Sequence, residues 1–252
     1  MQDSVQNTPV YGKNAVEELL KSGAVVDTVL LAESMDKKLA GYFAALAKNA
    51  GAVVKNTRAE KLDALCEGGK HQGVAAFAAQ VEYASLDDLL AAAARQGRPP
   101  FLLLADGVED PHNLGALLRT ALLCGAHGAV IPKRGAAGIT PVVMKASAGA
   151  AARLPVARVA NIGETVRRLK ESNVFVYCAD MQGPPAHSQN LTGGIALVMG
   201  AEGKGVSPLV KKLCDGTLSL PMAPVGTGVD SFNVSVAGGI LMYEIFRQRG
   251  GA

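Results

Sequence analysis

Three short stretches of this chain gather the residue types that hold a small molecule and move a proton. In the first, Asp106-Gly-Val-Glu-Asp-Pro-His-Asn-Leu-Gly-Ala-Leu-Leu-Arg-Thr120, an amide (Asn113), a glycine (Gly115) and an arginine (Arg119) follow the apolar run Phe101 to Ala105. In the second, the apolar run Leu197-Val-Met199 turns into Gly200-Ala-Glu-Gly-Lys-Gly205, which carries Glu202. The third comprises Leu220-Pro-Met222 and then Ser231-Phe-Asn-Val-Ser235, just before a long apolar segment. Glycines at 200, 203 and 205 let backbone groups approach a ligand closely, while Glu202, Ser231, Asn233 and Ser235 add polar side chains at the same strand ends. The combination reads as a small-molecule site with a reacting centre attached. A glycine-rich turn alone would say little, because Gly-x-x-Gly-x-Gly is not the Gly-x-Gly-x-x-Gly of a dinucleotide site and most such turns only shape a loop.

Taken together, Asn113-x-Gly115-x-x-x-Arg119, Gly200-x-Glu202-Gly203 and Ser231-x-Asn233-x-Ser235 resemble, in order and spacing, the three motifs of the SpoU (TrmH) family. That family comprises RNA ribose 2'-O-methyltransferases of the SPOUT superfamily. At the N-terminus, Val10-Tyr-Gly-Lys-Asn-Ala-Val-Glu-Glu-Leu-Leu20 and His71-Gln-Gly-Val-Ala75 resemble the small RNA-binding domain of its RlmB-type members, so the resemblance covers nearly the whole chain. It implies S-adenosylmethionine bound in a C-terminal trefoil knot, a homodimer formed through that domain, and an RNA substrate. A guanosine of 23S ribosomal RNA is the first-choice target, and transfer RNA is its main rival. One departure is the loop Ala223-Pro-Val-Gly-Thr-Gly-Val-Asp230, longer than expected of RlmB-type members, which bears on the RNA target rather than on the reaction.

Methyl transfer to a ribose hydroxyl needs a held cofactor, an aligned hydroxyl and a proton acceptor; holding two reactants at near-attack distance gains about 7–11 kcal/mol. The resemblance assigns Gly200, Leu220, Met222, Phe232 and Asn233 to the cofactor, and a flat adenine suits an apolar slot edged by backbone hydrogen bonds. The competing structural reading makes Leu220 and Phe232 core residues and Gly200 a turn. The catalytic set is Arg119, Asn113, Glu202, Ser231 and Asn233. Arg119 lies between Ala116-Leu-Leu118 and Ala121-Leu-Leu123, so it either snorkels to solvent or grips phosphate with its planar five-donor fork. The family's arginine has also been cast as the base that deprotonates the hydroxyl, but a guanidinium is effectively always charged, and Glu202 is chemically the easier acceptor. The choice between the two stays open. Asn113 at a strand-to-helix junction is a good N-cap, Ser231 and Asn233 can cap the last helix, and His112 reads as a loop residue. In the N-terminal part, Lys13, Asn14, Arg58, His71 and Gln72 are candidates for RNA contact, with solvated surface as the equal alternative for Lys13 and Arg58.

To position these residues, the chain has 252 residues with 49% hydrophobic content, enough to bury proper cores in one large or two small domains. Apolar runs at 25–31 and 74–79 flank helical patterns at 14–22, 36–50 and 59–66, giving an α/β unit over residues 1–80 as the RNA-binding domain. Residues 81–100 read as a linker with a short helix at 85–94, ending in Arg95-Gln-Gly-Arg-Pro-Pro100. Over 101–252, the methyltransferase domain, strands at 101–105, 129–131, 174–179, 195–199 and 217–220 alternate with helices near 114–124, 141–147, 162–172, 208–213 and 234–248. Near-continuous apolar strands separated by helices predict a parallel sheet covered on both faces, and all three motifs fall at carboxyl ends of its strands, where such sheets bind ligands. The fold class is therefore α/β, a parallel-sheet domain preceded by a small α/β domain, and the family resemblance implies that the C-terminal domain is knotted as a trefoil. Ala237-Gly-Gly239, opening the final helix, signals close backbone packing, because each glycine costs about 1 kcal/mol relative to alanine there.

A net charge of +3 is compatible with RNA binding without establishing it. The cysteines Cys66, Cys124, Cys178 and Cys214 are widely separated, suggesting neither a zinc ribbon nor a disulfide framework, and the proposed chemistry needs no metal. No run approaches the roughly 20 apolar residues of a membrane helix, and the polar Met1 to Pro9 lacks a secretion-signal pattern, so a cytoplasmic protein without membrane contact is expected. A non-catalytic RNA-binding or ribosome-assembly protein is the alternative from another functional class. A nucleotide-binding oxidoreductase would need a Gly-x-Gly-x-x-Gly turn after a strand, which the sequence does not contain.

Overall fold

The computed structural model describes residues 9–21, 26–78, 83–223 and 231–250. The elements run β1 (Val10–Tyr11), α1 (Lys13–Lys21), β2 (Val26–Ala32), α2 (Lys37–Asn49), β3 (Val53–Thr57), α3 (Ala59–Leu65) and β4 (Val74–Ala78). Next come α4 (Leu86–Arg95), β5 (Phe101–Asp106), α5 (Pro111–Leu123), β6 (Gly128–Pro132), α6 (Pro141–Ala146), β7 (Val156–Val159), α7 (Ile162–Glu171) and β8 (Phe175–Ala179). The chain closes with β9 (Ile195–Gly200), α8 (Pro208–Leu213), β10 (Gly216–Leu218) and α9 (Val234–Gln248). It divides into two compact units, Met1–Glu82 with Ile139–Val142, and Tyr83–Gly138 with Val143–Ala252.

In the first unit the strands order β1-β4-β2-β3, with β2 and β3 parallel and β4 antiparallel to both β1 and β2. Successive side chains of a strand point to opposite faces, and β2 is apolar on both. Val29 and Leu31 pack with Val16 and Leu20 of α1 and Phe43 and Ala47 of α2, whereas Leu30 and Ala32 pack with Leu62 and Cys66. Asp36 starts α2 by accepting from the Lys38 and Leu39 amides, 3.0 and 3.1 Å away. Strand β3 was not expected, and its exposed residues Val53, Lys55 and Asn56 explain why: an edge strand carries little of the apolar pattern.

The second unit is built on a six-stranded sheet, order β10-β8-β9-β5-β6-β7, in which every pairing is parallel. Its central strands β5 and β9 are buried along their length, as the near-continuous apolar runs predict. One face is filled by Leu102, Leu104, Val130, Val176 and Val198 against Leu86, Leu89, Val166 and Leu169. Leu86 and Leu89 belong to α4, which starts on a Ser85–Asp88 capping box. The helix expected inside an 81–100 linker therefore forms part of this unit's core, and the units part at Glu82/Tyr83. On the other face α9 packs against α5. Gly238 makes that approach possible: a Cβ there would lie 2.4 Å from Cδ2 of the buried Leu117 and 3.4 Å from Cε of Met199. At Gly239 the nearest atom would be 3.8 Å away, so only the first of the two glycines is required by packing. Three of the four cysteines are buried and Cys214 is half-buried, all as free thiols. Among the described residues no helix is long and apolar enough to cross a membrane.

Candidate active site

The site forms where β5, β8, β9 and β10 end. Strand β9 delivers Gly200 into a turn closed by paired backbone hydrogen bonds between Ala201 and Gly205, 3.0 and 2.8 Å long. The turn folds back so tightly that a Cβ on Gly200 would lie 2.0 Å from the Gly205 carbonyl carbon and 2.1 Å from the Val206 nitrogen. No side-chain movement relieves a clash with backbone, so Gly200 is obligatory for the loop itself. Asp106, ending β5, anchors the far side by accepting from the Ser207 amide at 2.8 Å.

Around this loop lies a cavity of about 550 Å3, walled by Met199, Leu218, Leu220, Met222, Phe232 and Leu241 on its apolar side and by the 200–205 turn on the other. Gly200, Leu220, Met222, Ser231, Phe232, Asn233 and Glu202, all marked by the sequence, line it together. An adjoining cavity, also about 550 Å3, shares Glu202 and Lys204 and adds Asp106, Asp110 and Asn113.

The three motifs meet through their polar side chains. Asn233 Nδ2 donates to Asn113 Oδ1 at 3.1 Å and to Glu202 Oε1 at 3.2 Å, and Asn113 Nδ2 donates to Glu202 Oε2 at 3.3 Å. Asn233 is also the N-cap of α9, its Oδ1 accepting from the Ser235 amide (2.9 Å) and hydroxyl (2.7 Å). Capping and site-building thus use opposite ends of one amide, and every donor and acceptor in the triangle has an assigned direction.

Asn113 is placed otherwise than expected, and Arg119 lies apart from it. The N-cap of α5 is Asp110, which accepts from the His112 amide at 2.8 Å ahead of Pro111; Asn113 lies inside the first turn, 7% exposed. A buried amide needs partners, and Glu202 and Asn233 supply them. Six residues further, Arg119 is turned about 120° around the helix from Asn113. It is exposed, and it lines a separate depression of about 390 Å3 with Leu123, Ser147, Gly149 and Arg153. Within one copy of the chain, Arg119 is not brought to Glu202 or Asn233.

In the first unit, Lys13, Asn14, His71 and Gln72 gather at one end of the sheet. Gln72 Oε1 accepts from the Lys13 amide at 3.0 Å, while His71 Nδ1 accepts from the Gly73 amide at 3.0 Å and its Nε2 lies 2.9 Å from Asp63 Oδ1. Arg58 is exposed at the carboxyl end of β3; since β1, β2 and β3 run the same way, it shares that end of the sheet. Of the long loop before Ser231, residues 224–230 lie outside the described residues.

Residues 100–243 match the SpoU rRNA Methylase family, and residues 9–84 match the RNA 2'-O ribose methyltransferase substrate binding family. The chain belongs to the SpoU rRNA methylase family. YacO of Bacillus subtilis, whose name places it among TrmH family tRNA/rRNA methyltransferases, is 46% identical over 248 residues, 98% of each chain. A Staphylococcus aureus protein of the same description is 38% identical over 247 residues, 97% of this chain and 98% of its own. A TrmH-family RNA methyltransferase structure from Porphyromonas gingivalis matches at 26% identity and a TM-score of 0.57, covering 96% of this chain and 90% of the other. The SpoU methyltransferase AviRb of Streptomyces viridochromogenes, solved with AdoMet, shares the fold at 24% identity and a TM-score of 0.61, over 97% and 91% of the two chains.

The candidate site of this SpoU-family chain also contains residues that reading the motifs missed. Asp180, just past β8, and Lys211 of α8 form an ion pair on the cavity wall; the lysine holds the Asp180 carboxyl below the usual range, and the carboxylate pushes Lys211 up. Met199, Leu218 and Leu241 complete the apolar side. The strand-end rule that singled out the motifs applies equally to β8 and β10, and would have found Asp180 and Leu218.

Proposed function

We propose that this protein is an S-adenosylmethionine-dependent methyltransferase acting on a ribose 2'-hydroxyl in RNA. The observation that carries the reading is the Asn113–Glu202–Asn233 triangle, in which one residue from each motif closes a hydrogen-bonded junction on the rim of the apolar cavity. That cavity fits the cofactor: Leu220, Met222 and Phe232 offer an apolar slot for adenine, and the Gly200 turn brings backbone groups to its edge. When bound, S-adenosylmethionine supplies an electrophilic methyl group, and its transfer to a ribose oxygen releases one proton. Glu202, exposed in the cavity wall and oriented by two amide donors, is assigned as the acceptor of that proton; Ser231 and Asn233 position the ribose. Arg119 is assigned to phosphate, gripping it through its fork.

The exposed face of α5 and α9 supports a homodimer. Leu123 (70% exposed), Val236, Ile240 and Tyr243 (61%) leave large apolar side chains in solvent on two helices that pack together, and contiguous apolar surface marks protein contacts. A dimer through this face makes Arg119 available to the partner's site, which accounts for its separation from Glu202. The return of α9 to β9 and α5 in the middle of the unit, after β10 at the sheet edge, supports a knotted C-terminal segment. The first unit is assigned to RNA binding through Lys13, Asn14, Arg58, His71 and Gln72. An RNA-modifying role of this kind assigns the protein to the cytoplasm.

A guanosine of 23S ribosomal RNA is the favoured target; transfer RNA is the second reading, since the relatives' names carry both RNA classes. The test is transfer of labelled methyl from S-adenosylmethionine to unmodified 23S and transfer RNA transcripts, with nuclease mapping of the product. Label at one 2'-O position of 23S RNA is expected. Label in transfer RNA keeps the chemistry and moves the target, and cofactor binding without label in either RNA favours the non-catalytic alternative.

A further inference from the structure

The amino ends of the same sheet carry a different cavity, of about 450 Å3, lined by Arg98, His127, Thr192, Phe246 and Arg249 among others. It lies at the opposite end of β5 from the motif residues, five steps or about 17 Å of extended strand away. His127, in the turn before β6, is 4% exposed. Its backbone amide donates to the Phe101 carbonyl at 2.8 Å, and its Nδ1 accepts from the Phe101 amide at 3.0 Å. Accepting at Nδ1 fixes the neutral tautomer: the ring proton sits on Nε2. That Nε2 is buried with no acceptor among the described residues, and a buried donor left unmade needs a reason.

The surrounding charge supplies one. Arg249, half-buried, donates to the Pro99 and Pro100 carbonyls and lies over the Phe101 ring, 5.7 Å from its centre. Arg98 is exposed on the rim, and among the described residues no aspartate or glutamate lines the cavity. Two guanidiniums and an imidazole N–H therefore share a concave site that no aspartate or glutamate of the described residues lines. The crowding is felt by the groups themselves: burial, and then the Arg98 charge, push Arg249 down, while burial and Arg249 push His127 down.

We infer that this cavity binds a phosphate oxyanion, gripped by Arg98 and Arg249 and accepting a hydrogen bond from His127 Nε2. The oxyanion is either free phosphate or a phosphodiester of bound RNA; only the second source rests on the RNA methyltransferase reading. The full chain is titrated with inorganic phosphate at neutral pH and constant ionic strength, following the His127 ring nitrogens by NMR. A saturable shift is expected, with affinity weakened about tenfold in Arg98→Ala, the loss of one charge-assisted contact. Because Arg98 is exposed, this variant leaves the fold intact, and Arg249→Lys, which keeps the charge but loses the fork, should weaken phosphate less. No saturable shift, or an Arg98→Ala protein that binds phosphate like wild type, overturns the inference. Filter binding of a 23S RNA transcript then separates the sources. With RNA as the source, Arg98→Ala weakens RNA binding, phosphate competes with RNA, and the log–log salt slope falls by about one. With free phosphate as the source, RNA affinity is the same in both proteins while the phosphate titration still distinguishes them. Failure of the methyltransferase reading shows separately, as wild-type protein that transfers no methyl group.

Discussion

At the carboxyl ends of β5 and β9, Asn113, Glu202 and Asn233 use their donors and acceptors on one another; at the amino ends of the same strands, among the described residues, His127 Nε2 finds no acceptor and two guanidiniums face a cavity that no aspartate or glutamate lines. The first arrangement is finished before any ligand arrives. Its dipoles are already aimed, so the proposed methyl transfer would need no reorganisation of these groups. The second is incomplete: a buried donor left unmade costs about 1–3 kcal/mol, which an arriving anion offsets. One sheet thus carries a preorganised end and an end that a ligand completes.

The largest effect is expected from breaking the preorganised end at its backbone. Gly200→Ala places a methyl group 2.0 Å from the Gly205 carbonyl carbon, so the loop must open. Calorimetric titration with S-adenosylmethionine should show affinity lowered by about a hundredfold or more, in line with the cost of misplacing a site by an ångström. Gly239→Ala, with 3.8 Å of room, is the matched control and should bind like wild type. Wild-type affinity in Gly200→Ala would mean that the tight turn does not position the cofactor.

Next in size is loss of the triangle's charge. In Glu202→Gln one carboxylate oxygen becomes an NH2 group facing an amide donor, and the proposed proton acceptor disappears. Turnover should fall about 10²–10⁴-fold, the usual worth of general base catalysis, while cofactor affinity changes only a few-fold. Equal loss in both would reduce Glu202 to a structural brace. Arg119→Ala should also keep cofactor affinity within a few-fold and lower methylation strongly. Because Arg119 is exposed and away from Glu202 in its own chain, mixing the inactive Arg119→Ala and Glu202→Gln proteins should restore part of the activity through dimers that contain one intact site. No recovery on mixing would confine Arg119 to its own subunit.

These contrasts mark what the sequence could disclose. Strands β5 and β9 were legible because burial on both faces leaves unbroken apolar runs, and β3 was not because an exposed edge strand has none. The motif residues were legible as types, but which ones touch depends on a helical turn. Asn113 and Arg119 share α5, yet their angular separation sends one to Glu202 and the other to the far side, while Asp110 takes the capping role expected of Asn113. His127 gave no signal at all. A single histidine before a strand is ordinary in sequence, and only the Phe101 clamp and the two arginines brought in by folding give it chemistry.

The smallest effect tests whether that histidine is held uncharged. Burial and the Arg249 charge keep the folded pKa of His127 below its ordinary value, whereas the unfolded ring titrates near 6.5. As pH falls through 6.5 the unfolded chain takes up a proton that the folded chain does not, so stability drops by up to about 1.4 kcal/mol per pH unit. The slope ends once pH passes below the folded value. His127→Asn keeps an acceptor for the Phe101 amide and removes the titration. Urea unfolding of both proteins at about pH 7.5 and about pH 5.5 should therefore show the wild type losing more stability on acidification than the variant. Adding phosphate at the higher pH should stabilise wild type more than Arg98→Ala, since a ligand stabilises the state that binds it in proportion to how tightly it binds. A pH-independent difference between wild type and His127→Asn would mean that the ring is as easily protonated folded as unfolded. The two ends of the sheet would then no longer differ in how they treat their polar groups.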